Sequence, residues 1–258
     1  MNDDARAGTL HPLGARPVGR RSFVRYLAGL LACPSASVAG KPTAYPTDVA
    51  GVRLPVTPLC VNSYDLCRSV APAFLVNHSL RTYVFGALYV THRRRGFNEE
   101  SAFVAAMFHD LGLLKAFSTP NTSFEVDGAT RAERVVRESG APLVEARSVW
   151  NAIVMHDMDF AIAEHESPEA MVVAAGAGAD FDGHSPEGEV IDPSMARSVV
   201  NAIPRLQFKE RFVALLADHC GRKPGVQNGT WLEGFCRAHS NVAPDVTEKE
   251  ARAAPFDE

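Results

Sequence analysis

His109 and Asp110 stand side by side at the end of a run, Phe103 to Phe108, that carries no polar side chain. An imidazole and a carboxylate on such a segment are costly to bury without a partner. A divalent cation resolves the cost for both, because it takes nitrogen and oxygen donors together. The competing reading is a helix C-terminus where both residues face water. Two further residues bear on the choice. His78 lies upstream and Asp180 downstream, each at a predicted helix boundary in an apolar setting. A carboxylate at a helix C-terminus meets the negative end of the macrodipole and needs a compensating cation. Two imidazoles and two carboxylates make a mixed nitrogen and oxygen site, suited to zinc, iron or manganese. The expected ligands are therefore His78, His109, Asp110 and Asp180.

The elements that must hold these residues read as helices from about residue 57 onward, with no clear strand alternation. Leu80, Val84, Ala87 and Leu88 follow helical spacing after Asn77-His78-Ser79. Asn98 predicts an N-cap, with Glu99 and Glu100 in the first turn and Gly112 past the helix end. Two more helices are predicted over residues 128–139 and 142–156, split at Gly140-Ala141-Pro142. Ser167-Pro168-Glu169 opens a helix whose small residues, Ala174 to Ala179, would admit a close neighbouring backbone before Asp180. A last amphipathic helix is expected over residues 204–220. The fold class expected is all-α.

At 258 residues the chain is long enough for one sizeable core. A net charge of -4 gives no electrostatic case for nucleic acid or an acidic membrane. No apolar run approaches the roughly 18 residues of a membrane span. The partner expected is a small-molecule substrate, with a homo-oligomer left open. The cysteines are Cys33, Cys60, Cys67, Cys220 and Cys236, and none has C-x-x-C spacing. His219-Cys220 with Cys236 and His239 is a second conceivable zinc set, although its spacing fits no standard pattern.

Residues 1–45 differ from the rest. Arg20-Arg21-Ser22-Phe23-Val24-Arg25 is close to the twin-arginine export pattern, and Ser37-Val38-Ala39 has cleavage-site character after a short apolar stretch. The expectation is an exported, periplasmic protein; the alternative is a disordered cytoplasmic extension. Cleavage would remove Cys33 and leave an even number of cysteines, compatible with disulfides. The organisation expected is this segment, one metal-binding domain over residues 46–240, and a charged, frayed tail over 241–258.

The order His78, His109-Asp110, Asp180 resembles the HD-domain superfamily of metal-dependent phosphohydrolases. Several segments are more closely similar to its cyanamide hydratase branch. They are Asn77-His78-Ser79-Leu80-Arg81-Thr82-Tyr83, Met107 to Gly112, Phe124 to Ala129 and Trp150 to His156. Gly176 to Gly183, Pro204 to Lys209 and Arg222-Lys223-Pro224 complete the set, which spans roughly residues 57–235. The resemblance implies an HD-type helical bundle, with His78, His109, Asp110 and Asp180 as metal ligands. It implies zinc first, with iron or manganese as alternatives. The implied reaction adds water to cyanamide, or a similar small nitrile, to give urea or an amide. The alternative is an HD phosphohydrolase acting on a nucleotide or phosphoester. In many of those a lysine follows the aspartate by three residues; here that position is Leu113, and Lys115 reads as a surface residue.

Two residues are expected to do the chemistry. A bound metal lowers the pKa of water to roughly 7, and Asp110 is placed to hold the proton of that water. His156, at the end of an apolar helix, is the expected proton donor or substrate contact. Its alternatives are a capping histidine or a ligand to a second metal. Glu125 is expected to orient a histidine or to pair with Arg81 or Arg131, Asn77 to cap its helix or bond into the pocket, and Asp157 to face solvent.

Overall fold

The computed structural model describes residues 45–223, 226–227, 230–239 and 252–255. The export-like segment with Cys33, most of the charged tail and Pro224 lie outside these residues. All the described elements belong to one compact unit, Thr43–Glu258.

A two-residue hairpin, β1 (Asp48–Val49) and β2 (Val52–Arg53), precedes the helices. Then come α1 (Pro58–Val70), α2 (Ala73–His92) and α3 (Glu99–Phe108). They are followed by α4 (Phe124–Glu138), α5 (Leu143–Val154), α6 (Phe160–Glu166) and α7 (Pro168–Asp182). The last three are α8 (Pro193–Ala202), α9 (Phe208–Arg222) and α10 (Leu232–Ala238). The all-α expectation holds. No described helix is long and apolar enough to cross a membrane.

Local chemistry sets the ends of the helices that carry the site. Asn98 accepts from the Ser101 amide at 3.0 Å and starts α3, with Glu99 and Glu100 in its positive first turn. Every residue of α3 from Ser101 to Phe108 is buried, so this helix is the centre of the core. Phe103 and Phe108 are fully enclosed, and burial of each contributes on the order of 2–3 kcal/mol. Ser167 accepts from the Ala170 amide at 3.1 Å and Pro168 supplies the first turn of α7. Several boundaries differ from expectation: α4, expected from residue 128, begins at Phe124, and α5, expected to residue 156, ends at Val154. Helix α2 begins at Ala73, four residues before Asn77, because Pro72 presets the entry and Ala73 to Val76 continue the same apolar face. Asn77 is thus inside the helix, where it donates to the Pro204 carbonyl at 2.8 Å and caps nothing. Helix α9 begins at Phe208, after Leu206 and Gln207 adopt positive φ.

Helices α2 and α7 pack backbone to backbone, as the small residues of α7 predicted. A Cβ at Gly176 would lie 1.9 Å from the Thr82 carbonyl oxygen, and one at Gly86 would lie 1.8 Å from that of Val172. This contact carries His78 and Arg81 on one helix to Asp180 on the other.

Gly176→Ala must therefore force the two helices apart. The expected loss is about 1–3 kcal/mol, seen as a melting temperature lower by several degrees. An unchanged melting curve would mean that the contact is not this tight.

Candidate metal centre

Four elements deliver the polar residues. His78 and Arg81 sit one turn apart on α2. His109 and Asp110 follow α3, where the chain tightens into a 3-10 turn at Leu111–Leu113. His156 lies two residues beyond α5, and Asp180 is in the last turn of α7. All are buried: His109 and Asp180 are 0% exposed, His78 2% and Asp110 3%.

The ring nitrogens are fixed by their partners. His109 Nδ1 is 2.7 Å from the Ala106 carbonyl and His156 Nδ1 is 2.6 Å from that of Ile153. A carbonyl can only accept, so both Nδ1 atoms donate, and in the neutral rings both Nε2 atoms present a bare lone pair. His78 Nδ1 donates to Asp180 Oδ2 at 2.7 Å, which turns its Nε2 toward the same point. There His78 Nε2, His109 Nε2 and Asp110 Oδ2 form a triangle with sides of 3.2 Å. An ion with ligand bonds of about 2.0–2.2 Å holds its donors roughly 3.0–3.5 Å apart. Asp110 Oδ2 is buried without a hydrogen bond. Converging lone pairs on buried atoms repel unless a cation or a proton lies between them. His78, His109 and Asp110 are thus a buried group able to hold a metal ion.

The local charges agree with this arrangement. Burial would lower the His78 imidazole, but Asp110 and Asp180 beside it raise it above its ordinary value. Burial lowers the His109 imidazole, and His156 and His78 add to the effect. Burial opposes ionisation of Asp110, yet His109 and His78 hold its carboxyl well below the usual range. Without an ion, a proton on His78 relieves the repulsion; a metal must displace it.

Asp180, expected as a fourth ligand, has other partners in the structure. It is not among the converging donors. Arg81 grips it with a two-pronged fork, Nε to Oδ1 at 2.7 Å and Nη2 to Oδ2 at 2.8 Å. Arg205 Nη1 adds a bond to Oδ1 at 3.0 Å, and His78 takes the remaining position on Oδ2. Burial would raise this carboxyl, but Arg81 and Arg205 hold it well below the usual range. The helix-end carboxylate does have its compensating cation, but that cation is a pair of guanidiniums. Asp180 acts on the centre through the ring of His78. Arg205 was not singled out by itself in the sequence, where it fell inside the helix predicted over residues 204–220.

His156 lies beside this group. Its Nε2 is 3.9 Å from Asp110 Oδ1, and its ring meets that of His109 edge-on at 4.9 Å. A cavity of about 300 Å³ opens over His78, His109, Asp110 and His156. Asp157 is half-buried on its wall and accepts from the Trp231 indole N–H, so it does not simply face solvent. Glu125 pairs with neither Arg81 nor Arg131. Burial, then the neighbouring Asp157 carboxyl, push it up to about 8. Burial raises Asp157 as well. Lys115 is exposed, as expected. The alternative zinc set fails, because Cys220 and Cys236 form a disulfide.

Comparison with models of known protein families and with curated proteins finds no match to this chain. Function has to be read from the chemistry of the centre itself.

Two outcomes follow. Asp180→Asn leaves every converging donor in place but loosens His78, so metal affinity should fall about 10–100-fold, measured by competition with a chelating dye. Retained affinity would remove Asp180's positioning role. Glu125 binds its proton more tightly folded than unfolded, where its value is near 4.5. Its contribution is fully present below that value and is lost as pH rises through about 8. The melting temperature of the parent relative to Glu125→Gln should fall between pH 5 and pH 8 and level off above. A gap independent of pH would mean that Glu125 is ionised throughout.

Proposed function

We propose that this chain is an HD-type, metal-dependent hydratase that adds water to cyanamide or a similar small nitrile. The observation that carries the reading is the set of imidazoles pinned at Nδ1 with bare Nε2 atoms gathered around one carboxylate. Zinc is the ion we favour, because it takes imidazole nitrogen and carboxylate oxygen together and keeps an open position in catalytic sites. Iron or manganese would fit the same donors. When bound, such an ion lowers the pKa of a water molecule to roughly 7 and makes a nucleophile at neutral pH.

The residues of the chain supply the rest. Asp110 offers Oδ2 to the triangle and leaves Oδ1 facing His156 at 3.9 Å. With Nδ1–H donating to the Ile153 carbonyl, the neutral His156 ring leaves Nε2 free to take a proton. It therefore acts first as a base, taking a proton from the attacking water, and then as an acid, returning it to the nitrile nitrogen. One C–O bond forms, one C–N π bond becomes an N–H bond, and no group leaves. Rearrangement of the product gives an amide, or urea from cyanamide.

Two observations weigh against the phosphoester alternative. The described residues lining the cavity include no lysine or arginine. The nearby guanidiniums of Arg81 and Arg205 are committed to Asp180. The Cys220–Cys236 disulfide supports the exported location, because disulfides persist in oxidising compartments.

The purified, zinc-loaded protein is expected to release urea from cyanamide. His109→Ala should lose metal and activity together. His156→Ala should keep its metal while kcat falls about 10²–10⁴-fold. No urea and no amide from a metal-replete parent would overturn the hydratase reading.

A further inference from the structure

The cavity over the centre is larger and more aromatic than cyanamide requires. Cyanamide has three heavy atoms and occupies roughly two water volumes, about 60 Å³. The cavity holds about 300 Å³. Enclosed apolar sites of about 150 Å³ accept benzene.

Its walls are specific in shape. Ala174, Ala177, Gly178 and Phe181 all line it, and their spacing puts them on one face of α7. The face that packs on α2, through Gly176, is a different one. The three small residues leave a shallow floor, and a Cβ at Gly178 would meet no atom within 4 Å. Aromatic rings line the cavity beside that floor. Phe181 meets Phe212 edge-on at 5.9 Å and Trp231 edge-on at 6.3 Å. Trp231 is 36% exposed, which puts its indole at the mouth, tethered there through Asp157. Asp110, whose buried Oδ2 is a corner of the donor triangle, lines the same cavity. A flat ring can lie on the small-residue floor with its edge or face against these aromatics, while a group attached to it reaches His156. A cationic ring fits poorly, because it would oppose the ion that the converging donors require.

Resting on the hydratase reading above, we propose that this chamber seats the flat ring of the substrate, which makes an aryl or heteroaryl nitrile the substrate class.

The test uses the zinc-loaded full chain carrying Trp150→Phe, so that Trp231 is the one indole reporting. Benzamide, the uncharged product of benzonitrile hydration, is titrated against its fluorescence. Turnover of benzonitrile and of cyanamide is measured alongside. Ala174→Leu fills the floor, and Gly178→Leu does the same from a position with open space, should the first fail to fold. Benzamide binding that weakens about tenfold in either variant, with an equal fall in the ratio of benzonitrile to cyanamide turnover, supports the ring site. Urea from cyanamide, with no benzamide binding and no benzonitrile turnover, overturns the ring site and leaves the hydratase standing. Variant-sensitive benzamide binding with no turnover of either nitrile supports the ring site and overturns the hydratase.

Discussion

The carboxylate of Asp180, held between two guanidiniums, is the joint on which the centre depends. Arg81, Arg205 and Asp180 are each almost wholly buried. Charges so enclosed persist only because each satisfies the others, and removing one partner typically costs about 3–5 kcal/mol. The guanidiniums favour the ionised carboxylate, which accepts from His78 Nδ1. That single bond fixes the ring of His78 and turns its other nitrogen to His109 and Asp110. Both guanidiniums lie over the Phe208 ring, on which the His78 ring also stacks at 4.6 Å. The first residue of α9 thus locks the cluster from the side.

Packing makes this possible. Residues 78 and 180 are far apart in sequence, and only the close approach of α2 and α7 brings them to 2.7 Å. Glycine at 86 and 176 lets the backbones touch, so the approach is set by main-chain geometry rather than by compressible side chains. The same helix α7 then divides its labour by face. One face meets α2, its C-terminal turn supplies Asp180, and a third stripe of small residues opens the cavity.

Part of this was legible in the sequence because the relevant chemistry is local. His109 and Asp110 are adjacent, and a polar pair closing an apolar run is a signal within a ten-residue window. The caps at Asn98 and Ser167 are likewise local, and both are found in place. Asp157 and Glu125 were not legible as neighbours, because α4 and the turn after α5 meet only in space. Their shared environment, not their identity, raises both carboxyls. Residue type alone could not tell a surface aspartate from one that anchors the indole at the mouth of the cavity.

Sequence by itself determined the helical character, the capped starts of α3 and α7, and the polar residues that have no reason to be on apolar segments. Those are consequences of periodicity, capping and the cost of burying charge, all of which act over a few residues. Tertiary structure alone decided what compensates each charge. Asp180 needed a cation, and from the sequence a metal and an arginine satisfy that need equally well. Arg81 lies a turn beyond His78, and Arg205 lies in the segment between α8 and α9. Only their placement assigned them to Asp180 and left His78, His109 and Asp110 as the converging donors. Electrostatic partnership depends on distance in space, and chain separation does not encode that distance.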